Sequence, residues 1–391
     1  MATANERVRT VLEELTGSGR ELGVQVAAFL DGECVIDAWA GLADRESGRP
    51  VTGETLFTAM SIGKAVAATC LHLLADRGQL DYDAPIARYW PEFAARGKER
   101  ATVRHALTHA TAVPQLPSGT TPELLCDWDA MCAGIASLEP LWEPGTKTGY
   151  HALTFGWIVG ELVRRVDGRP LNDLLQEEIC RPLRISGLYF GAPDGSSEQI
   201  ATRADAPVAP PAATAATAPS DPLYERAFPL ALAAAPVWNR QDVREASIPG
   251  AGGITNARSL ARLFAALAQG GEIDGVRLLR PEVVRVATAL QTDAFDEVLG
   301  PRPDLAAPVR KALGYQLGGP RTPATTYHSA MGLRTTAFGH GGAGGMIAFA
   351  DPEQRLAFAY LKNLATPSRP GVPDSALAVA QTVRSALGLG E

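Results

Sequence analysis

The sequence is poor in cysteine. Its five (Cys34, Cys70, Cys126, Cys132, Cys180) are odd in number and contain no Cys-x-x-Cys pair, which reads as buried or incidental thiols in a reducing cytoplasm. No run approaches the roughly 20 apolar residues that a membrane helix needs, so no membrane partner is expected. The first residues, Met1-Ala2-Thr3-Ala4-Asn5-Glu6-Arg7, lack the basic and then apolar pattern of an export signal, and the expected location is cytoplasmic. An excess of positive charge is also missing: 36 Lys+Arg against 43 Asp+Glu leave a net charge of −7. With no Lys/Arg cluster, binding to a nucleic-acid backbone is not expected. No internal repeat of 20–50 residues occurs.

What is present is ordinary globular material: 391 residues, 46% hydrophobic and 20% charged, enough for a substantial core. Apolar spacing predicts an amphipathic helix over 7–15, a hairpin with strands at 24–30 and 34–39 about Asp31-Gly32, and a helix from Ser61 to Arg77 closed by Gly78. Further helices are predicted at 155–165 and 259–269, strands at 346–350 and 356–361, and a last helix at 374–387. Residues 201–222, carrying Pro207, Pro210, Pro211, Pro219 and Pro222 among Ala and Thr, read as a long surface loop or insertion. Strands at both ends with helices between them predict an α+β fold: a mostly antiparallel sheet flanked by helices, with an inserted all-helical subdomain. The expected division is 1–60 with 255–391 for the sheet and 61–254 for the helical part. A junction of this kind is where pockets form.

Three short segments carry chemistry. In Ser61-Ile62-Gly63-Lys64, the i, i+3 spacing places a lysine amine beside a serine hydroxyl at a helix N-terminus. A serine needs an adjacent base, and a desolvated lysine loses its proton more readily. In Trp142-Glu143-Pro144-Gly145-Thr146-Lys147-Thr148-Gly149-Tyr150-His151-Ala152, Pro and Gly mark a turn that would present Tyr150 at the start of the next helix. In Phe338-Gly339-His340-Gly341-Gly342-Ala343-Gly344-Gly345, glycines let backbone approach a ligand, and the Ala343 N–H could complete an oxyanion hole. Taken singly, each has a bland reading: a chance Ser-x-x-Lys, a half-buried Tyr, a glycine-rich turn.

Their order and spacing together resemble the serine β-lactamase/penicillin-binding-protein superfamily, in its class C-like, family VIII carboxylesterase branch, with related acyltransferases. Phe57-Thr58-Ala59-Met60, Thr102–His109, Pro249–Ile254 and Ala350–Glu353 are also similar, so the likeness spans about 20–365. The resemblance implies a β-lactamase/transpeptidase-like fold, Ser61 as acylated nucleophile, Lys64 as its proton partner, Tyr150 as the catalytic Tyr, and the N–H groups of Ser61 and Ala343 as oxyanion hole. It further implies a small-molecule ester as substrate and no metal or organic cofactor. His151, Ala152, His340, Gly341 and Gly342 are candidate substrate-binding residues. Ala152 stands where the β-lactamases have Asn, and His340 where their third box begins with Lys. Those departures favour acyl transfer from esters, to water or to an amine or alcohol, over β-lactam hydrolysis.

Several patterns compete with this reading. Lys147-Thr148-Gly149 spells the third box literally but precedes Tyr150, and is taken as coincidence. Ala59-x-Ser61-x-Gly63 approximates an α/β-hydrolase elbow with His340 as its base. Gly339-x-Gly341-x-x-Gly344 matches a dinucleotide fingerprint without the strand–helix–strand context. His105 and His109 share i, i+4 spacing, but Ala106 stands where a metalloprotease has Glu, so a structural role is expected for both.

Overall fold

A computed structural model describes residues 2–206, 222–300, 309–319, 329–366 and 374–390. Its centre is a six-stranded sheet in the order Glu33–Gly41, Gly23–Leu30, Leu356–Lys362, Met346–Asp351, Phe338–Gly342, Gln316–Leu317. Every neighbouring pair is antiparallel. The first two strands are joined at Asp31 (φ 51°) and Gly32 (φ 88°), two left-handed residues that match the right-handed twist of a hairpin.

The strand Gly23–Leu30 is buried at nearly every position, because helices cover both faces of the sheet. On one face, Val8, Leu12 and Leu15 of the helix Ala4–Gly17 and Val379, Ala380 and Val383 of the helix Ser375–Ala386 pack with Val24, Val26, Phe349 and Phe358. The first of these helices opens on a capping box, Thr3 with Glu6, which satisfies two orphan N–H groups. On the other face, Leu260, Phe264 and Leu267 of the helix Ala257–Ala268 share a core with Ala27, Phe29, Ala348 and Ala357.

Among the described residues, 42–315 add no strand to this sheet. The regular elements of that stretch are mainly helices, and Gly63–Asp76 and Thr154–Asp167 pack on each other. A small sheet of Phe57–Thr58, Gly253–Thr255 and Leu188–Phe190 ties the chain just before Ser61 to the segment after Gly250. Of the Pro/Ala-rich loop, 207–221 lie outside the described residues. Its start is more ordered than the composition suggests, since Ala204–Asp205 pairs in parallel with Leu364–Ala365, and a helix already begins at Pro222. No described helix is long and apolar enough to cross a membrane.

Candidate active site

Ser61 stands where the small sheet hands over to a helix. The Ala59 N–H donates to the Gly253 carbonyl at 2.7 Å, fixing the chain two residues ahead. Met60 then takes a left-handed backbone (φ 51°), a conformation that costs a non-glycine residue of order 1 kcal/mol or more and that the surroundings must enforce. Two tight turns follow, from the Gly63 N–H to the Met60 carbonyl and from the Lys64 N–H to the Ser61 carbonyl, each 3.1 Å. They lead into the helix Gly63–Asp76.

The Lys64 amine is fully buried, donates to the Ala152 carbonyl at 2.7 Å and the Gly250 carbonyl at 2.6 Å, and lies 3.1 Å from Ser61 Oγ. All three partners are neutral oxygens. Burial without a carboxylate holds its pKa well below the ordinary lysine value, which favours the neutral amine that can accept a proton. The two carbonyls reach it because the chain around Gly250 runs against the helix Thr154–Asp167. A Cβ on Gly156 would lie 2.1 Å from the Gly250 nitrogen, a contact that only glycine permits.

Tyr150 comes from the loop before that helix, not from its first turn: the helix starts at Thr154. The Lys64 amine lies 4.9 Å from the centre of the Tyr150 ring. The His109 ring packs on Tyr150 at 4.9 Å and on Phe155 at 4.9 Å. His109 itself is buried with φ 60°, and burial, reinforced by nearby Lys311, holds its pKa well below the usual imidazole value. A neutral ring there can accept, and its Nδ1 takes the His151 N–H at 3.1 Å. An apolar wall of Ala152, Ala227 and Val298, with Leu223, Tyr224 and Phe228, packs beside Tyr150.

His151 is turned into the protein. It is 1% exposed, with Nδ1 on the Gly149 carbonyl at 2.6 Å and Nε2 on Thr111 Oγ1 at 2.7 Å. Burial lowers its pKa to about 4. Its ring pins the loop from within the protein.

The strand Phe338–Gly342 brings the glycine-rich segment to the serine. A Cβ on Gly342 would come within 2.6 Å of the Ala59 carbonyl and 3.3 Å of Ile62, so the end of this strand lies directly against the turn that carries Ser61. Ala343 follows, half-buried, and its carbonyl accepts from the Arg203 guanidinium at 3.2 Å. The Gly341 N–H donates to the buried Gln316 Oε1 at 2.9 Å. His340 is buried, with its ring 6.2 Å from that of Tyr150 and Nδ1 2.7 Å from the Gly341 carbonyl.

The fold thus gathers Ser61, Lys64, Tyr150, Ala152, His340 and the 341–343 backbone from three distant stretches of sequence. Sequence reasoning missed Asp296 and Lys311, a buried ion pair (2.6 Å) linked to Tyr150 by the Tyr150 N–H on Asp296 Oδ1 at 2.9 Å. Nothing local marks them, since a charged residue in a loop usually faces water. The other patterns resolve structurally. Thr148 and Gly149 are packed into the loop, Thr148 Oγ1 donating to the Thr108 carbonyl at 2.9 Å. His105 caps its own short helix through the Thr102 N–H at 3.2 Å. The Gly339–Gly344 run is strand and turn, leading to another strand and not to a helix. The antiparallel sheet removes the α/β-hydrolase elbow reading. Among the described residues, no three His, Cys, Asp or Glu are grouped to hold a metal ion, and none of the five cysteines is in a disulfide.

The chain is similar to known proteins over most of its length. The esterase/beta-lactamase LipL of Mycobacterium tuberculosis is 36% identical over 349 residues, which cover 87% of this chain and 77% of that protein. A penicillin-binding-protein homologue from Caulobacter crescentus superposes with TM-score 0.85 at 34% identity, covering 99% of each chain. A family VIII carboxylesterase does so with TM-score 0.84 at 32% identity over 98% of each. The architecture is the β-lactamase/transpeptidase-like fold that the three sequence boxes imply. The family model described as Beta-lactamase matches residues 8–382, and the chain belongs to that family.

Proposed function

We propose that this protein is a serine carboxylesterase that works through an acyl-enzyme on Ser61. The observation that carries the reading is the fully buried Lys64 amine, 3.1 Å from Ser61 Oγ and ringed by neutral oxygens. Such an amine is built to take a proton, and the serine is the group beside it.

In the proposed sequence, Ser61 Oγ attacks an ester carbonyl while its proton passes to Lys64, with Tyr150 sharing the transfer. The new C–O bond forms as the carbonyl π pair moves onto oxygen. The resulting oxyanion rests on the Ser61 and Ala343 N–H groups, the former beside a helix N-terminus that favours negative charge. Collapse expels the alcohol, which takes the proton back. Water then attacks the acyl group, gives its proton to the same base and releases the acid. The apolar wall beside Tyr150 suits an ester with an apolar substituent, and Ala152 offers no side-chain amide to grip a β-lactam substituent. The expected substrate is therefore a small ester, acting without metal or organic cofactor.

The test is intact-mass analysis after mixing with a short-chain nitrophenyl ester. Wild type should gain one acyl group and Ser61→Ala none, with turnover reduced by at least 10³-fold. Equal turnover by both proteins, with no adduct on either, sinks the reading. Adding amines and alcohols identifies the acceptor. Ester or amide products formed in preference to the free acid would make the enzyme an acyltransferase.

A further inference from the structure

We propose that the buried Lys311–Asp296 ion pair is the positioning device for Tyr150, so that two residues touching no substrate set how well the tyrosine shares the Ser61 proton. This rests on the acyl-enzyme reading above.

The pair is 2.6 Å apart and each side chain is 3% exposed. Asp296 Oδ1 accepts three N–H groups: Tyr150 at 2.9 Å, Val298 at 3.0 Å and Leu299 at 2.9 Å. Its Oδ2 takes the Lys311 amine, which also donates to Thr148 Oγ1 at 2.7 Å. The Thr148 carbonyl accepts the Glu297 N–H at 2.9 Å. Lys311 is anchored in turn, its carbonyl accepting the Gln291 N–H and its N–H donating to the Thr292 carbonyl, each at 2.9 Å. The chain from Thr148 to Tyr150 is therefore gripped from one side by residues 296–299 and Lys311. From the other side His109 holds it, with the Gly149 N–H on the His109 carbonyl at 2.9 Å and the His109 ring against the phenol.

A carboxylate buried here alone would be strongly unfavourable, and the lysine offsets that cost. The same carboxylate orients the peptide that carries Tyr150 and the backbone of Val298, whose side chain belongs to the apolar wall. Proton transfer is sensitive to placement, and misplacing a catalytic group by about 1 Å costs on the order of 10²-fold. Tyr150 sits outside any helix, so its loop lacks a regular backbone ladder to hold it, and the ion pair supplies the missing constraint.

The test is a double-mutant cycle on the rate of Ser61 acylation by a short-chain nitrophenyl ester, read from the burst and from intact mass. Asp296→Asn should lower kcat by 30- to 100-fold with KM changed less than threefold. Placed in a Tyr150→Phe background, the same substitution should cost less than threefold. A merely structural role would cost the same factor in both backgrounds, and that result overturns the proposal, as does an undiminished rate for Asp296→Asn alone. Lys311→Arg, which keeps the charge, should stay within about fivefold of wild type. If Asp296→Asn fails to fold, Thr148→Val takes its place in the cycle, with an expected loss of about fivefold that likewise vanishes beside Tyr150→Phe. Failure of wild type to acylate on Ser61 would remove the esterase reading and this one together. Acylation with equal factors in both backgrounds would remove this one alone.

Discussion

Two buried lysines, 247 positions apart in sequence, end on either side of the same tyrosine loop in opposite surroundings. Lys64 meets a hydroxyl and two carbonyls; Lys311 meets a carboxylate and a hydroxyl. Burial without a counter-charge drives Lys64 toward its neutral form, whereas Lys311 has the Asp296 carboxylate 2.6 Å from its amine. On the two proposals above, the same side chain serves as a base in one place and a strut in the other, and the neighbouring oxygen decides which.

The sharpest way to break this contrast is to fix the charge of Lys64. Lys64→Ala removes the proposed base, and Lys64→Arg keeps a cation that cannot give up its proton. If neutrality is what matters, both lose about 10³-fold in the rate of Ser61 acylation, within the range of general-base effects. The wild-type rate should rise with pH and level off well below the ordinary lysine value near 10.4, because the depressed pKa makes the neutral amine available there. Arg restoring more than a tenth of the rate would show that Lys64 acts as a cation.

A second measurement concerns stability. Lys311→Met leaves Asp296 buried and unpaired and should cost about 3–5 kcal/mol in denaturant unfolding. Lys64→Met strands no charge and should cost less than half as much, although it removes the activity. Adding Asp296→Asn to Lys311→Met should recover part of the loss. If the two Met variants are equally unstable, the distinction between strut and base fails on energetic grounds.

Acid probes the same two regions through histidines. His151 pins the tyrosine loop, and His72 lies on the Lys64 helix with its nitrogens 2.8 Å from Tyr82 Oη and 3.0 Å from the Leu313 carbonyl. Burial lowers each to about 4. A folded pKa below the unfolded 6.5 means that the unfolded chain binds the extra proton. The stabilisation from each is therefore complete above pH 6.5 and is lost as pH falls through 4, by roughly 3 kcal/mol per histidine. Comparing unfolding at pH 7 and pH 4 should show that gap shrinking by about that amount in His151→Gln and again in His72→Gln. A gap that does not move in one variant would mean that its region opens before the rest.

What the sequence made legible follows the range of the interactions. Ser61 and Lys64 are three residues apart, and helix geometry alone predicts their contact. The hairpin at Asp31-Gly32 and the helices Ala4–Gly17, Thr154–Asp167 and Ala257–Ala268 are written in local periodicity and caps. Tyr150 and the 338–345 segment were found by their order along the chain and by family likeness, because no local rule brings residue 150 to residue 61. His151 shows the limit of adjacency: next to Tyr150 in sequence, it points into the protein and bonds Thr111. Asp296 and Lys311 lay beyond reach altogether. Their roles exist only once the loop folds back on residues 148–150, and composition cannot say which charged residues will be drawn inside.

Lys98 gives the smallest expected effect and the most exacting check. It is as buried as Lys64, and its amine donates to the carbonyls of Ala95, Ala136 and Leu138 at 2.6, 3.0 and 2.5 Å. With no carboxylate beside it, desolvation lowers it to about 8. By the argument from surroundings alone, Lys98 is a second depressed lysine of the same kind as Lys64. What it lacks is a hydroxyl: all three of its acceptors are carbonyls, which have no proton to give. Lys98→Met should therefore leave Ser61 acylation within twofold of wild type, and its pH profile unmoved, while unfolding shifts by no more than 1–3 kcal/mol as the three carbonyls lose a donor. If the rate instead falls tenfold with the fold intact, a depressed pKa and a nearby serine are not together enough to name the base, and the contrast between Lys64 and Lys311 would need a longer-range electrostatic term.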